Sequence, residues 1–186
     1  MRIISGRNRG KKLLLPNFDG TRPTADLVKT SMFGLLDPYI KETKVLDLFA
    51  GSGALGLECL SRYADSVIFV DQNKLACELT RKNAMSMKYT PEIICQPYDK
   101  ALKILAKRNE KFDIVLLDPP YHQELESKAL MQLYNLKLIH SESICVVEMA
   151  KEDAINEEIY NNFEELKNRT FGIKRILLLK PKNMEE

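Results

Sequence analysis

Two short stretches carry the residues best suited to chemistry. The first is Asp118-Pro119-Pro120-Tyr121, which follows the apolar run Phe112 to Leu117. Its two prolines fix φ and remove two N–H donors. What remains is a carboxylate and carbonyls, all hydrogen-bond acceptors. An acceptor-only loop suits an exocyclic amine. Asp118 and a proline-loop carbonyl would hold the two hydrogens of a base NH₂ and polarise its nitrogen toward an electrophile. Tyr121 offers a ring on which a planar base can stack. The plainer reading is a turn with an N-capping Asp.

The second stretch is Val45 to Glu58, VLDLFAGSGALGLE. It begins as a buried strand, with Val45, Leu46, Leu48 and Phe49 around Asp47. It turns through Gly51-Ser52-Gly53 and continues as a helix whose apolar face carries Ala54, Leu55, Leu57 and Leu60. Gly51, Gly53 and Gly56 satisfy the G-x-G-x-x-G spacing of a nucleotide-binding corner. Asp71 ends the next apolar run, 20 residues after Gly51, where a carboxylate can hold a ribose diol. The pattern fits nicotinamide dinucleotides and S-adenosylmethionine alike. Asp47 favours the second, because a pyrophosphate wants positive potential at the helix start. S-adenosylmethionine has no phosphate and carries an ammonium and a sulfonium. An ordinary β-turn-α corner with a solvated Asp is the plainer alternative.

The surrounding elements must bring these stretches together. Ser66–Asp71, Glu92–Cys95, Phe112–Asp118 and Ser143–Glu148 read as strands. Asn73–Met87, Asp99–Lys107 and Gln123–Leu136 read as helices, the first with Leu75, Ala76, Leu79 and Ala84 inward, and Asp153–Tyr160 reads as a weaker one. Such alternation predicts an α/β fold with a mostly parallel sheet and helices on both faces. Phe163–Phe171 and Lys174–Lys180 read as a closing antiparallel hairpin turning at Gly172. Ligands of open α/β sheets sit beyond the carboxyl ends of the strands. Asp118 and the Gly51–Gly53 loop are therefore expected at one edge.

Ahead of this domain lies a basic extension. Residues 1–15 read as a short β-hairpin with the tip Arg7-Asn8-Arg9-Gly10-Lys11-Lys12. Pro16 to Pro23 reads as a loop, and Ala25–Leu36 as an amphipathic helix capped by Thr24 and stopped by Asp37-Pro38. The first 30 residues hold seven basic groups against two acids, a balance suited to neutralising backbone phosphates. A solvated basic terminus is the bland alternative. The division expected is 1–40 as a basic, phosphate-contacting extension and 41–186 as the nucleotide-binding α/β domain.

The 186 residues can bury a full core, and a net charge of +2 argues little by itself. Four isolated cysteines and two distant histidines give no metal-ligand spacing, and a reduced, cytoplasmic chain is expected. No apolar run approaches a membrane span.

Asp47 to Glu58 with Asp118 to Tyr121, in that order, resemble class I S-adenosylmethionine-dependent amino-group methyltransferases, which have a Rossmann-like fold. Arg2-Ile3-Ile4-Ser5-Gly6, Arg9 to Leu13, Thr21 to Thr24, Val28 to Phe33 and Ala54 to Arg62 resemble the bacterial RsmD-type family more narrowly. The resemblance implies transfer of a methyl group to the N2 amine of one guanine in small-subunit (16S) ribosomal RNA, by a monomer that meets its RNA within a ribosomal subunit. It makes 1–40 an RNA-contacting extension and 41–186 a methyltransferase domain. It implies that Asp47, Phe49, Gly51 and Gly53 line the methionine end of the cofactor. Asp71 would take the ribose, and Asp99, or its neighbour Tyr98, the adenine. Asp118, Pro119, Pro120 and Tyr121 would grip the guanine, and Arg7, Arg9, Lys11, Lys12 and Arg22 would hold phosphates. His122 would be an exposed loop residue or an RNA contact, and Glu148 a structural acid or part of the pocket floor. The competing readings are the same chemistry on adenine N6, cytosine N4 or a protein glutamine. Remoter ones are a dinucleotide-dependent oxidoreductase and a catalytically silent RNA-binding module.

Overall fold

The computed structural model describes residues 1–15, 23–121 and 123–184, with residues 23–26 as backbone. Seven strands form one sheet in the order β3-β2-β1-β4-β5-β7-β6. These are β1 Lys44–Asp47, β2 Ser66–Asp71, β3 Glu92–Cys95, β4 Phe112–Leu117, β5 Ile139–Ala150, β6 Phe163–Phe171 and β7 Lys174–Pro181. The helices are α1 Pro23–Ile40, α2 Ala54–Ser61, α3 Lys74–Ser86, α4 Tyr98–Lys107, α5 Leu125–Asn135 and α6 Ile159–Asn162. β1 to β5 run parallel; β7 lies antiparallel between β5 and β6. The chain winds outward from β1 to β3, then returns to β4 on the other side of β1. That reversal leaves a crevice beyond the carboxyl ends of β1 and β4.

Burial on both faces explains why the central strands are apolar at nearly every position. Val45, Ile114, Leu116, Ile144 and Val146 face a core shared with Ile3, Met32, Phe33 and Leu57. Their neighbours Leu46, Val115, Leu117, Cys145 and Val147 face a second core shared with Leu102, Leu130 and Ile159. The basic extension has no core of its own. Its Ile3, Leu13, Val28 and Leu36 belong to the first cluster with Phe69.

Several boundaries differ from the sequence expectation. The N-terminal hairpin is a single antiparallel bridge, Arg2 with Lys12, supported by Ile3 N–H to Lys11 C=O at 2.9 Å. The basic tip is a pair of tight turns, and its anchorage comes from elsewhere. Glu58, fully buried in α2, accepts from the Ile4 and Ser5 N–H groups at 2.8 and 3.0 Å and pairs with Lys29 at 3.0 Å. Helix α1 does not stop at Asp37-Pro38. It carries Pro38 in its last turn and ends at Ile40, which is buried. A proline there forfeits one N–H bond, while the extra turn seats Ile40 in the core.

Leu75 was expected to face inward on α3 and is instead 74 % exposed. Cys77, Thr80, Asn83 and Ala84 are the buried side, and the two polar members bind backbone groups of other segments. β5 begins at Ile139, four residues before the expected start, and ends at Ala150. The helix expected from Asp153 is reduced to α6. Upstream of it, Asn156 N–H is satisfied by Ser127 Oγ at 3.2 Å and the Asp153 carbonyl by Arg175. Of the loop expected from Pro16 to Pro23, residues 16–22 lie outside the described residues, as does His122, while Pro23 opens α1.

Candidate active site

The glycine turn after β1 depends on Gly53, which takes φ 77°. A Cβ there would stand 2.9 Å from Thr80 Cγ2, so no larger residue fits this conformation. Thr80 Oγ1 donates to the Gly51 carbonyl at 3.0 Å, and Asn83 Nδ2 to the Ser52 carbonyl at 2.9 Å. The turn is thus held from beneath by two polar side chains of α3. Asn83 also bonds both backbone groups of Leu14, which ties the basic extension to the same turn.

Beyond the strand ends lies a cavity of about 670 Å³, a size suited to a small ligand. Phe49, Asp71, Asp99, Asp118, Pro119, Pro120 and Tyr121, all named from the sequence, line it together. The expected convergence of the β1 and β4 ends therefore holds. Tyr98 also lines it, its ring 5.6 Å from that of Phe49. Asp47, Gly51 and Gly53 are not on its wall. Asp47 is buried behind it and accepts from Gly56 N–H at 2.9 Å. Asp71 reaches back to the turn, accepting from Gly51 N–H at 2.9 Å through Oδ2. Its other oxygen takes Asn73 N–H at 2.8 Å.

The electrostatics are acidic. Three carboxylates line the wall, Asp71, Asp99 and Asp118, and Lys174 is the cation among the described lining residues. Burial pushes the Asp47 carboxyl up to about 7, against the Gly56 hydrogen bond that favours its ionised form. Burial, Glu148 and Asp47 hold Asp118 well above the usual carboxylate range, although Lys174 opposes them. Such a wall selects a cationic ligand and resists a pyrophosphate. A ligand with an ammonium, a sulfonium, a ribose and an adenine therefore fits the groups present, with Asp71 for the diol and Phe49 and Tyr98 for the flat ring.

Sequence reasoning missed Lys174 and left Glu148 undecided. The Glu148 carboxylate, 4 % exposed, pairs with the Lys174 ammonium and accepts from the Tyr121 hydroxyl at 3.2 Å. Burial and Glu148 push the Tyr121 phenol up to about 12, so the hydroxyl stays protonated. Burial would lower the Lys174 ammonium, but Glu148, Tyr121 and Asp118 outweigh it and hold its pKa above the ordinary value. Lys174 opens β7, far from Asp118 in sequence, and only the antiparallel β5–β7 pairing brings it here. No local signal marked it. Arg7, Arg9, Lys11 and Lys12 are exposed on the arm, with the Arg7 guanidinium 4.6 Å from the centre of the Tyr63 ring. Arg22 lies outside the described residues.

The strand order, glycine turn and acidic crevice define a class I, Rossmann-like S-adenosylmethionine-dependent methyltransferase. Residues 1–180 match the family described as Conserved hypothetical protein 95, and the chain belongs to that family. Ribosomal RNA small subunit methyltransferase D of Haemophilus influenzae is 37 % identical to it, across 93 % of this chain and 90 % of the relative. The protein of that name from Escherichia coli is 34 % identical, across 83 % and 77 %. A solved structure of a proposed methyltransferase from Escherichia coli superposes with a TM-score of 0.83 at 30 % identity, covering 99 % of each chain. No described helix is long and apolar enough to cross a membrane.

Proposed function

We propose that this protein methylates the exocyclic N2 amine of a guanine in small-subunit ribosomal RNA. The observation that carries the reading is the Asp118-Pro119-Pro120-Tyr121 loop on the wall of an acidic crevice, in a chain whose relatives bear the small-subunit methyltransferase name. Phe49, Asp71 and Tyr98 or Asp99 would hold the cofactor from the cavity wall, with Asp47 and the Gly51–Gly53 turn supporting it from behind. S-adenosylmethionine, when bound, supplies a methyl group activated by its sulfonium.

The protein's part is positioning and polarisation. Ionised Asp118 and a carbonyl of the proline loop accept the two N2 hydrogens and localise the nitrogen lone pair. Pro119 and Pro120 keep that loop free of competing donors. Tyr121 stacks on the base while its hydroxyl is tied to Glu148. A guanine in folded RNA must leave its stack to reach the crevice, at a cost of a few kcal/mol. Arg7, Arg9, Lys11 and Lys12 hold the flanking phosphates, and the enzyme works as a monomer on RNA presented within a ribosomal subunit.

The test is methyl transfer from labelled S-adenosylmethionine to small-subunit particles, deproteinised ribosomal RNA and duplex DNA, followed by nucleoside identification by mass. N2-methylguanosine is expected, and Asp118→Ala should lose transfer while still binding the cofactor. A methylated adenine, or label only in DNA, would overturn the reading.

A further inference from the structure

The amine-gripping loop accounts for N2 but not for the cation beside it. Lys174 lines the cavity with Asp118 and Tyr121, its ammonium 5.8 Å from the centre of the Tyr121 ring. It is paired with buried Glu148. Glu148 in turn accepts from the Tyr121 hydroxyl. An ammonium carries three donors. Glu148 engages one of them and, with the Tyr121 ring alongside, fixes where the nitrogen stands. A held donor in a site built from acceptors needs a chemical reason.

The reason lies in the order of groups along a base edge. Beside its N2 amine, guanine presents a second donor at N1 and then an acceptor at O6. A carboxylate with two oxygens matches the N2 and N1 hydrogens side by side, and the next group along requires a donor. Adenine held by its N6 amine presents an acceptor at N1 and then a carbon. Cytosine held by N4 presents two acceptors in succession. We propose that Lys174 donates to O6 of the target guanine and is the residue that separates guanine from adenine, with Glu148 as its positioning residue. The inference rests on the guanine-N2 reading above. Asp118, Glu148, Tyr121 and Lys174 together present acceptor, acceptor, donor, the complement of the guanine edge. Adenine in the same grip sets its N1 lone pair against the second Asp118 oxygen and leaves the ammonium with no base partner. Unpaired polar groups of this kind are what give hydrogen-bonding sites their discrimination.

The test compares two RNAs that differ at the base the wild-type enzyme methylates. One carries guanine; the other carries 2-aminopurine, which keeps the N2 amine and lacks O6 and the N1 proton. Wild-type enzyme should favour guanine in kcat/KM. In Lys174→Met that preference should shrink at least about tenfold, because transfer to guanine falls by more than transfer to 2-aminopurine, which loses only the help Lys174 gives to ionised Asp118. Lys174→Met leaves Glu148 buried and unpaired, so Glu148→Gln combined with Lys174→Met is assayed beside it and should give the same ratio. S-adenosylmethionine titration shows which variants are folded. Because each ratio compares two RNAs on one protein, a purely structural role for Lys174 would leave it unmoved. A folded variant that keeps the wild-type preference overturns the proposal. Wild-type enzyme that forms no N2-methylguanosine on any substrate overturns the guanine-N2 reading itself, a distinguishable result.

Discussion

Burial, the neighbouring Glu148 and Asp47 make the ionised form of Asp118 costly. Yet the proposed grip on the amine needs that ionised form. The acid limb of kcat/KM should therefore lie well above the ordinary carboxylate range, activity rising as pH climbs through the raised value. Asp118→Asn, whose amide oxygen accepts at every pH, should retain reduced transfer and lose the limb. A pH–rate profile of the two proteins checks this. The Asp-Pro-Pro-Tyr loop was legible from the sequence because its chemistry is local, two prolines and a carboxylate after an apolar run. Lys174 was not, since one lysine at a strand start looks like any other until the sheet is assembled. Thr80 and Asn83 were passed over for the opposite reason. Periodicity assigns the inner face of a helix to apolar residues, and here that face holds the two polar groups on which the glycine turn rests.

The arm and α2 meet at a contact that tolerates almost nothing. Gly6 adopts φ 81°, and a Cβ on it would fall 1.8 Å from the Ser61 carbonyl oxygen. Arg7 N–H donates to that same oxygen at 2.9 Å, and Asn8 N–H to Ser61 Oγ at 3.0 Å. Gly6→Ala should lift the arm from α2 and cost about 1–3 kcal/mol of stability. The expected signature is weakened RNA binding and easier proteolysis within residues 1–15, with S-adenosylmethionine affinity unchanged by titration. At this scale β2, β3 and β6 were legible to the residue, being apolar or alternating runs between clear turns. The arm was legible as basic but not as docked, because its anchors, Glu58, Ser61 and Asn83, lie more than 50 residues away along the chain. Pro38 misled as a stop signal because tertiary burial of Ile40 outweighs one missing hydrogen bond.

For the molecule as a whole, charge sets two responses. The Asp47 carboxyl titrates near 3.8 when unfolded and at about 7 when folded. Between those values the folded state keeps a proton that the unfolded chain has released, so stability falls as pH rises, by up to about 1.4 kcal/mol per pH unit. Below about pH 4 the contribution is constant, and above 7 the full penalty is in place. Denaturation of the ligand-free protein at pH 5 and pH 8 should show this loss, and Asp47→Asn should make it smaller. The second response is to salt. RNA affinity should fall steeply with ionic strength, and replacing Arg9 or Lys11 by Gln should each lessen the log–log slope by about 0.7–0.9 if one phosphate contact is lost. The mostly parallel sheet was legible from the alternation of elements. The insertion of β7 between β5 and β6 was not, since a hairpin read from sequence gives no indication of which strand joins the sheet. That placement has a consequence for biosynthesis. β7 is made after the other described strands of the sheet yet goes to its interior, so a nascent or truncated chain lacking Lys174 to Pro181 exposes the Cys145–Ala150 edge of β5, apolar but for Glu148, to any passing chain. Premature termination here should yield insoluble protein, and the ammonium proposed to identify the base would be among the last parts of the site to arrive.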